Sequence, residues 1–156
     1  SRGLGDVYKR QALMEATMPA GETVEAAPVE VMNWDASDEE IAEMKNHHMG
    51  LHILYSSGSA EIDMEKSSAD LNHILKFMQD HPDVKIELAG HTDSTGDDAK
   101  NQEISEKRAQ AVKAWLVENG IEGNRISAIG YGETQLVMVD GTEDHDASRR
   151  TELIIK

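Results

Sequence analysis

Hydrophobic and polar positions take on a readable rhythm near Leu51. Leu51 to Tyr55 (LHILY) is a short apolar run with strand character. The polar SSGS stretch breaks it, and Asp63 stands where a helix N-cap belongs. Leu71, Ile74, Leu75 and Met78 then recur at i, i+3, i+4 and i+7, which predicts a helix with one buried face. His81-Pro82 ends that helix, because the residue before proline avoids the α region. Val84, Ile86 and Leu88 alternate with Lys85 and Glu87, predicting a second strand with one face buried. Residues 90–100 are polar and glycine-containing and read as a loop. A second helix is expected from about Gln102 to Asn119, with Asn101 as its cap and Gly120 as its stop. Residues 125–130 and 151–156 are two further strands. Between them lies an acidic loop, TQLVMVDGTEDHDAS, expected to be mobile. The order β-α-β-α-β-β predicts an α/β (α+β) fold: a two-layer sandwich with both helices on one face of a small mixed sheet.

Upstream the rhythm fades. Residues 12–50 read as a linker or disordered arm, since the first part mixes Ala, Glu, Pro and Gly without sustained periodicity. One short helix is possible within Asp35–His48, with Asp38 as cap and Ile41 and Met44 on one side. Residues 1–11 fit no targeting pattern and resemble translated sequencing adaptor, so they are expected to be a non-native leader. The folded domain is expected to span 51–156.

Composition narrows the partners. Hydrophobic residues make up 38% and aromatics only 4%, so the core must be mainly aliphatic, with flexible Met filling gaps. A formal charge of −15 repels phosphate backbones and anionic bilayers, which argues against nucleic acid and direct membrane binding. The chain has no Cys, which excludes disulfides, thiolate catalysis, Cys-based zinc sites and a lipid-bearing Cys on this stretch. No apolar run approaches the ~18 residues of a membrane helix, so membrane association is expected only through sequence upstream.

The candidate chemistry centres on Arg108. At 100° per residue it falls in the same sector as Ile104, Ala111, Val112, Trp115 and Leu116. A guanidinium there must either snorkel to solvent along its stem or find an acceptor, because unpaired burial is costly. Asp93 lies just past the carboxyl end of the second strand, the edge where open α/β folds bind ligands. The two side chains and the second helix's N-terminus are expected either to form one site for a zwitterionic ligand or to make a plain Asp93–Arg108 salt bridge. A metal site at His47, His48 and His52 lacks ligand spacing, and Asp93, Asp97 and Asp98 lack the order of a calcium loop. His91, Asp93 and Ser94 are too close in one turn to form a catalytic relay. No metal, cofactor or catalytic residue is expected.

The blocks LAGHTDSTGDDAKNQEISEKRAQAVKAWLVENGI, RISAIGYGE and SRRTELII, in this order, resemble the OmpA C-terminal domain family, from LYSSGSAEI to the chain's end. The resemblance implies the same sandwich and a non-catalytic role. It implies binding to the diaminopimelate residue of peptidoglycan stem peptides, in the periplasm at the outer membrane. Peptidoglycan-associated lipoproteins and flagellar stator B subunits share the domain, so a stator or secretion machine is the alternative setting. By the same resemblance the ligand-binding residues are Asp93, Arg108, Asn101, Thr95 and Arg149. Ser148 and Thr151 depart from the family pattern around the paired arginines. Gln135-Leu136 replaces a usual proline, and Gly58 stands where a polar residue is frequent.

Overall fold

The computed structural model describes residues 24–156 except 27, 57 and 58; the expected leader and Gly58 lie outside the described residues. In chain order the elements are β1 (Val24–Glu25), β2 (Val29–Val31), α1 (Asp38–Glu43), β3 (His48–Leu51), α2 (Met64–Asp80), β4 (Ile86–His91), α3 (Asp98–Glu118), a 3-10 turn (Gly123–Arg125), β5 (Ile126–Gly132), β6 (Gln135–Leu136), β7 (Met138–Val139), β8 (Thr142–Glu143), α4 (His145–Ser148) and β9 (Arg150–Ile155). Five strands form a mixed sheet in the order β2-β3-β9-β4-β5. β9 runs antiparallel to both neighbours, while β2–β3 and β4–β5 are parallel pairs. The β-α-β-α-β-β framework is therefore present, with short additions.

One face of the sheet carries the core. Met49, Leu51, Ile86, Leu88, Ile126, Leu153 and Ile155 meet Leu71, Ile74, Phe77 and Met78 of α2 and Ala109, Val112 and Leu116 of α3. Asp63 caps α2 through the Lys66 N–H, as its position predicts. At the other end of α2, Arg125 is 8% exposed. Its guanidinium donates to the carbonyls of Met78 (2.9 Å), His81 (2.8 Å) and Val84 (3.0 Å). Two carbonyls at the helix end, those of Met78 and His81, thus share one cation with that of Val84 just before β4. Arg125→Leu is expected to cost about 3 kcal/mol, read as a lowered urea midpoint with an unchanged m-value, because these acceptors would lose charge-assisted bonds.

Several expectations change. The first strand lies at His48–Leu51, earlier than LHILY, because Met49 and Leu51 face the core in register with Leu153 and Thr151. Beyond Leu51 the backbone turns to α2 instead: the Leu54 N–H donates to Ser67 Oγ at 2.7 Å. Residues of the expected arm join the fold. Val29–Val31 forms a sheet edge, and α1 buries Ile41 behind a capping box on Ser37, not Asp38. β4 is buried on both faces, since the side of Glu87 and His91 is covered by Tyr131 and a polar network. In that network Glu152, fully buried, meets His48 at 2.7 Å, His91 at 3.3 Å and the Arg150 guanidinium. The acidic stretch after β5 forms β6, the β7–β8 hairpin and α4, with β6 pairing to β1.

α3 begins at Asp98, four residues before the expected start, because the Asp97 carboxylate caps it through the Lys100 N–H. Its buried stripe is Ser105, Ala109, Val112 and Leu116, which leaves Arg108 on the flank of that stripe. The helix rests almost bare on the sheet. A Cβ on Gly90 would lie 2.3 Å from the Ser105 carbonyl oxygen, and one on Gly130 would lie 2.3 Å from the Glu106 nitrogen. Ser105 Oγ also accepts the Gly132 N–H at 2.9 Å. These contacts fix the height of the helix start above the carboxyl ends of β4 and β5.

Candidate functional site

The chain leaves the sheet after His91 through a bulge: the β4–β5 register shifts between Gly90 and His91, which re-aims the residues that follow. Asp93 lands there, 5% exposed. Its carboxylate accepts the Thr95 N–H (3.1 Å) and the Thr95 hydroxyl (3.2 Å), so the side chain folds the loop back on itself. Asn101, in the first turn of α3, donates to the carbonyl oxygens of Thr95 (3.0 Å) and Asp93 (3.4 Å) and to Glu133 (3.1 Å). Arg149, delivered just before β9, places its guanidinium on Asp93 Oδ2. Burial acts to raise the Asp93 pKa. The Thr95 N–H and the Arg149 guanidinium, helped by the Thr95 hydroxyl, outweigh it and hold the group below the ordinary carboxylate value.

Four of the five expected residues therefore converge: Asp93, Thr95, Asn101 and Arg149. Arg108 is not among them and makes no ion pair with Asp93 among the described residues. Its Nε donates to the Ser59 carbonyl at 2.7 Å, and its guanidinium lies 4.9 Å over the Tyr55 ring. Tyr55 in turn reaches the Arg108 carbonyl (3.3 Å) and Thr151 Oγ1 (3.0 Å). Burial lowers the Arg108 pKa, and the proximity of Tyr55 offsets this only in part. The two cationic side chains are thus tied to the same end of β9, Arg149 by sequence and Arg108 through Tyr55 and Thr151.

The remaining candidates disperse. His47 meets Glu30 at 3.1 Å, His48 meets Glu152 and His52 lies 3.7 Å from Asp70, so the three histidines serve different partners. Asp97 is spent on the α3 cap. His91 is buried and stacks on Tyr131 with ring centroids 5.3 Å apart. Sequence reasoning missed Tyr55, Glu143 and His145. Glu143 accepts the Ser94 N–H at 2.9 Å and the Ser94 hydroxyl, and His145 Nδ1 lies 3.3 Å from both Asp93 Oδ2 and Glu143 Oε2. Nothing in a polar run such as TEDHDAS marks which residue folds back over a loop some fifty positions earlier. Tyr55 looked like a strand end.

The arrangement presents an ionised carboxylate, two guanidinium groups and several amide and hydroxyl donors at one edge of the sheet. Charges of both signs at one place are the chemical complement of a small zwitterion. The family model of the OmpA family matches residues 54–150. Outer membrane porin F of Pseudomonas aeruginosa is 46% identical over 87 residues, which are 55% of this chain and 25% of the porin. The peptidoglycan-associated lipoprotein of Buchnera aphidicola is 29% identical over 121 residues, covering 78% of this chain and 68% of the lipoprotein. The crystal structure of the periplasmic domain of Helicobacter pylori MotB superposes with a TM-score of 0.58 at 24% identity, over 70% of this chain and 73% of that one. The chain spans between 13% and 28% of the length of three curated relatives that it matches.

Proposed function

This chain belongs to the OmpA family, and from that premise we propose that it binds peptidoglycan without bond making and so holds an envelope protein to the cell wall. The ligand group is diaminopimelate of the stem peptide, a doubly charged amino acid. The setting is the periplasm at the outer membrane, and the wall-anchoring part of a stator or secretion machine is the alternative context for the same binding.

One observation carries the reading. Arg108 is a half-buried guanidinium whose partners among the described residues are a carbonyl and an aromatic ring, with no carboxylate. A desolvated cation of that kind favours an anion supplied from outside. A ligand carboxylate would take the remaining N–H edge of Arg108, and a ligand ammonium would take Asp93. Asn101 and Thr95 hold the loop so that the acceptor is in place before binding. Each charge-assisted pair contributes only about 1.5–3 kcal/mol net. Single-site affinity is therefore modest, and firm attachment comes from many copies on one polymer.

The test is sedimentation with purified peptidoglycan. Asp93→Ala and Arg108→Ala are expected to remain in the supernatant with native circular dichroism, while the unaltered protein pellets. Wild-type pelleting by both variants would overturn the site. Free diaminopimelate should release the protein, and lysine, which lacks the second carboxylate, should do so poorly. Equal release by both would remove Arg108 from the role of carboxylate clamp. Fragments released from the polymer in an Asp93-dependent way would make the domain an enzyme instead.

A further inference from the structure

We infer that Glu143 is the second carboxylate of the ligand's ammonium subsite and makes the site selective for stem peptides whose side-chain amine is free. The inference rests on the diaminopimelate reading above and adds a residue and a specificity to it.

Two acidic side chains face one small volume from different elements. Asp93 comes from the turn after β4, and Glu143 from β8 in the stretch that folds back over it. Glu143 is held there by two bonds from Ser94, on its N–H and its hydroxyl, and its side chain is only 13% exposed. Between the two carboxylates sits the Nδ1 nitrogen of His145, 3.3 Å from Asp93 Oδ2 and 3.3 Å from Glu143 Oε2. A nitrogen donor at that point marks where a ligand ammonium satisfies both acids at once. The His145 side chain is about half exposed and rides on the four-residue helix α4, so it can swing out as an ammonium enters. The imidazole is therefore an internal placeholder and not a fixed part of the site.

The same three side chains have donor atoms within 4.8 Å of one another, which also suits a metal ion. The neighbouring charge decides against that reading. The Arg149 guanidinium already touches Asp93 Oδ2, the oxygen a metal would share with His145, and it would repel a dication at close range. A monocation tolerates it better, and a zwitterion better still, because the ligand brings a carboxylate of its own to which Arg108 can donate.

A consequence for specificity follows. Acylation turns the ammonium into a neutral amide, as happens when stem peptides are cross-linked. The amide keeps a hydrogen-bond donor and loses the charge that two carboxylates reward. The domain should therefore hold uncross-linked stems in preference to cross-linked ones.

Calorimetric titration of the full chain with a stem tripeptide ending in diaminopimelate, whose one remaining amine is free, and with the same peptide acetylated on that amine tests this. For the unaltered protein the free-amine peptide should bind about tenfold more tightly or better. Glu143→Gln should weaken the free-amine peptide by about tenfold and change the acetylated one by no more than about twofold. His145→Ala should bind the free-amine peptide as well as the unaltered protein or better. Ser94→Ala, which removes one tether of the loop and keeps the acid, should stay within about threefold. Equal losses for both ligands in Glu143→Gln, or a Ser94→Ala loss matching it, would show that Glu143 only holds the loop and would overturn the inference alone. A His145→Ala loss as large as that of Glu143→Gln would also overturn it, since the imidazole would then be part of the site. Failure of the unaltered protein to bind either ligand would overturn the reading of the whole site.

Discussion

Gly130→Ala is expected to destabilise the domain by about 3 kcal/mol or more and to abolish the proposed wall binding in the molecules that still fold. The added methyl group would sit 2.3 Å from the Glu106 nitrogen and 2.6 Å from its Cα. Both are backbone atoms, so no side chain can turn aside, and α3 must rise off the sheet. The helix start carries Asn101, and Arg108 follows two turns later, so the same shift separates both from Asp93. Gly123→Ala is the control: its Cβ would meet only the ends of Val117 and Lys113 at 3.8 and 4.0 Å, and it should change stability by about 0.5 kcal/mol or less. Urea unfolding of the two variants decides the matter. Matching midpoints would show that α3 has slack against the strands.

Acidification is expected to weaken the fold progressively from about pH 6.5 downward, through the network on the far face of the sheet. Glu152 is fully buried. Its burial acts to raise its pKa, but His48, His91 and Arg150 outweigh this and hold it well below the usual carboxylate range. Its stabilising contribution is therefore complete above the unfolded value near 4.5 and is lost as pH falls below it. Burial lowers the pKa of His91, so the unfolded chain takes up a proton near 6.5 that the folded one refuses. In both cases the unfolded state binds more protons, and stability falls with pH. Glu152→Ala at neutral pH removes the acid and strands Arg150 beneath the surface, at a cost of about 3–5 kcal/mol. A urea midpoint that stays constant between pH 7 and pH 4 would contradict this assignment of charge.

The framework was legible because its signals are local. Leu71, Ile74 and Met78 mark a helix face, Asp63 marks its start, and the helix stop at His81-Pro82 holds to the residue. The start of α3 was misplaced because two polar residues compete for the cap, and Asp97 prevails over Asn101, which turns to the Thr95 carbonyl. The second face of β4 was unreadable, since Glu87 and His91 look solvent-facing until Tyr131, Arg150 and Glu152 arrive from distant strands. The site divides along the same line. Asp93, Thr95 and Asn101 lie within one turn and a helix start, whereas the approach of Glu143 and His145 depends on how the stretch after β5 folds back.

The position of β9 has a consequence for the order of folding. It is the last of the described elements and lies between β3 and β4, which share no ladder without it. Until it inserts, the molecule consists of a local β4-α3-β5 unit and a separate β2-β3 edge, and pairing across so long a sequence separation is slow. Arg149 arrives with that strand. Sheet closure and completion of the charge pair at Asp93 are therefore one event, and the turn after β4 lacks its cation until the scaffold is finished.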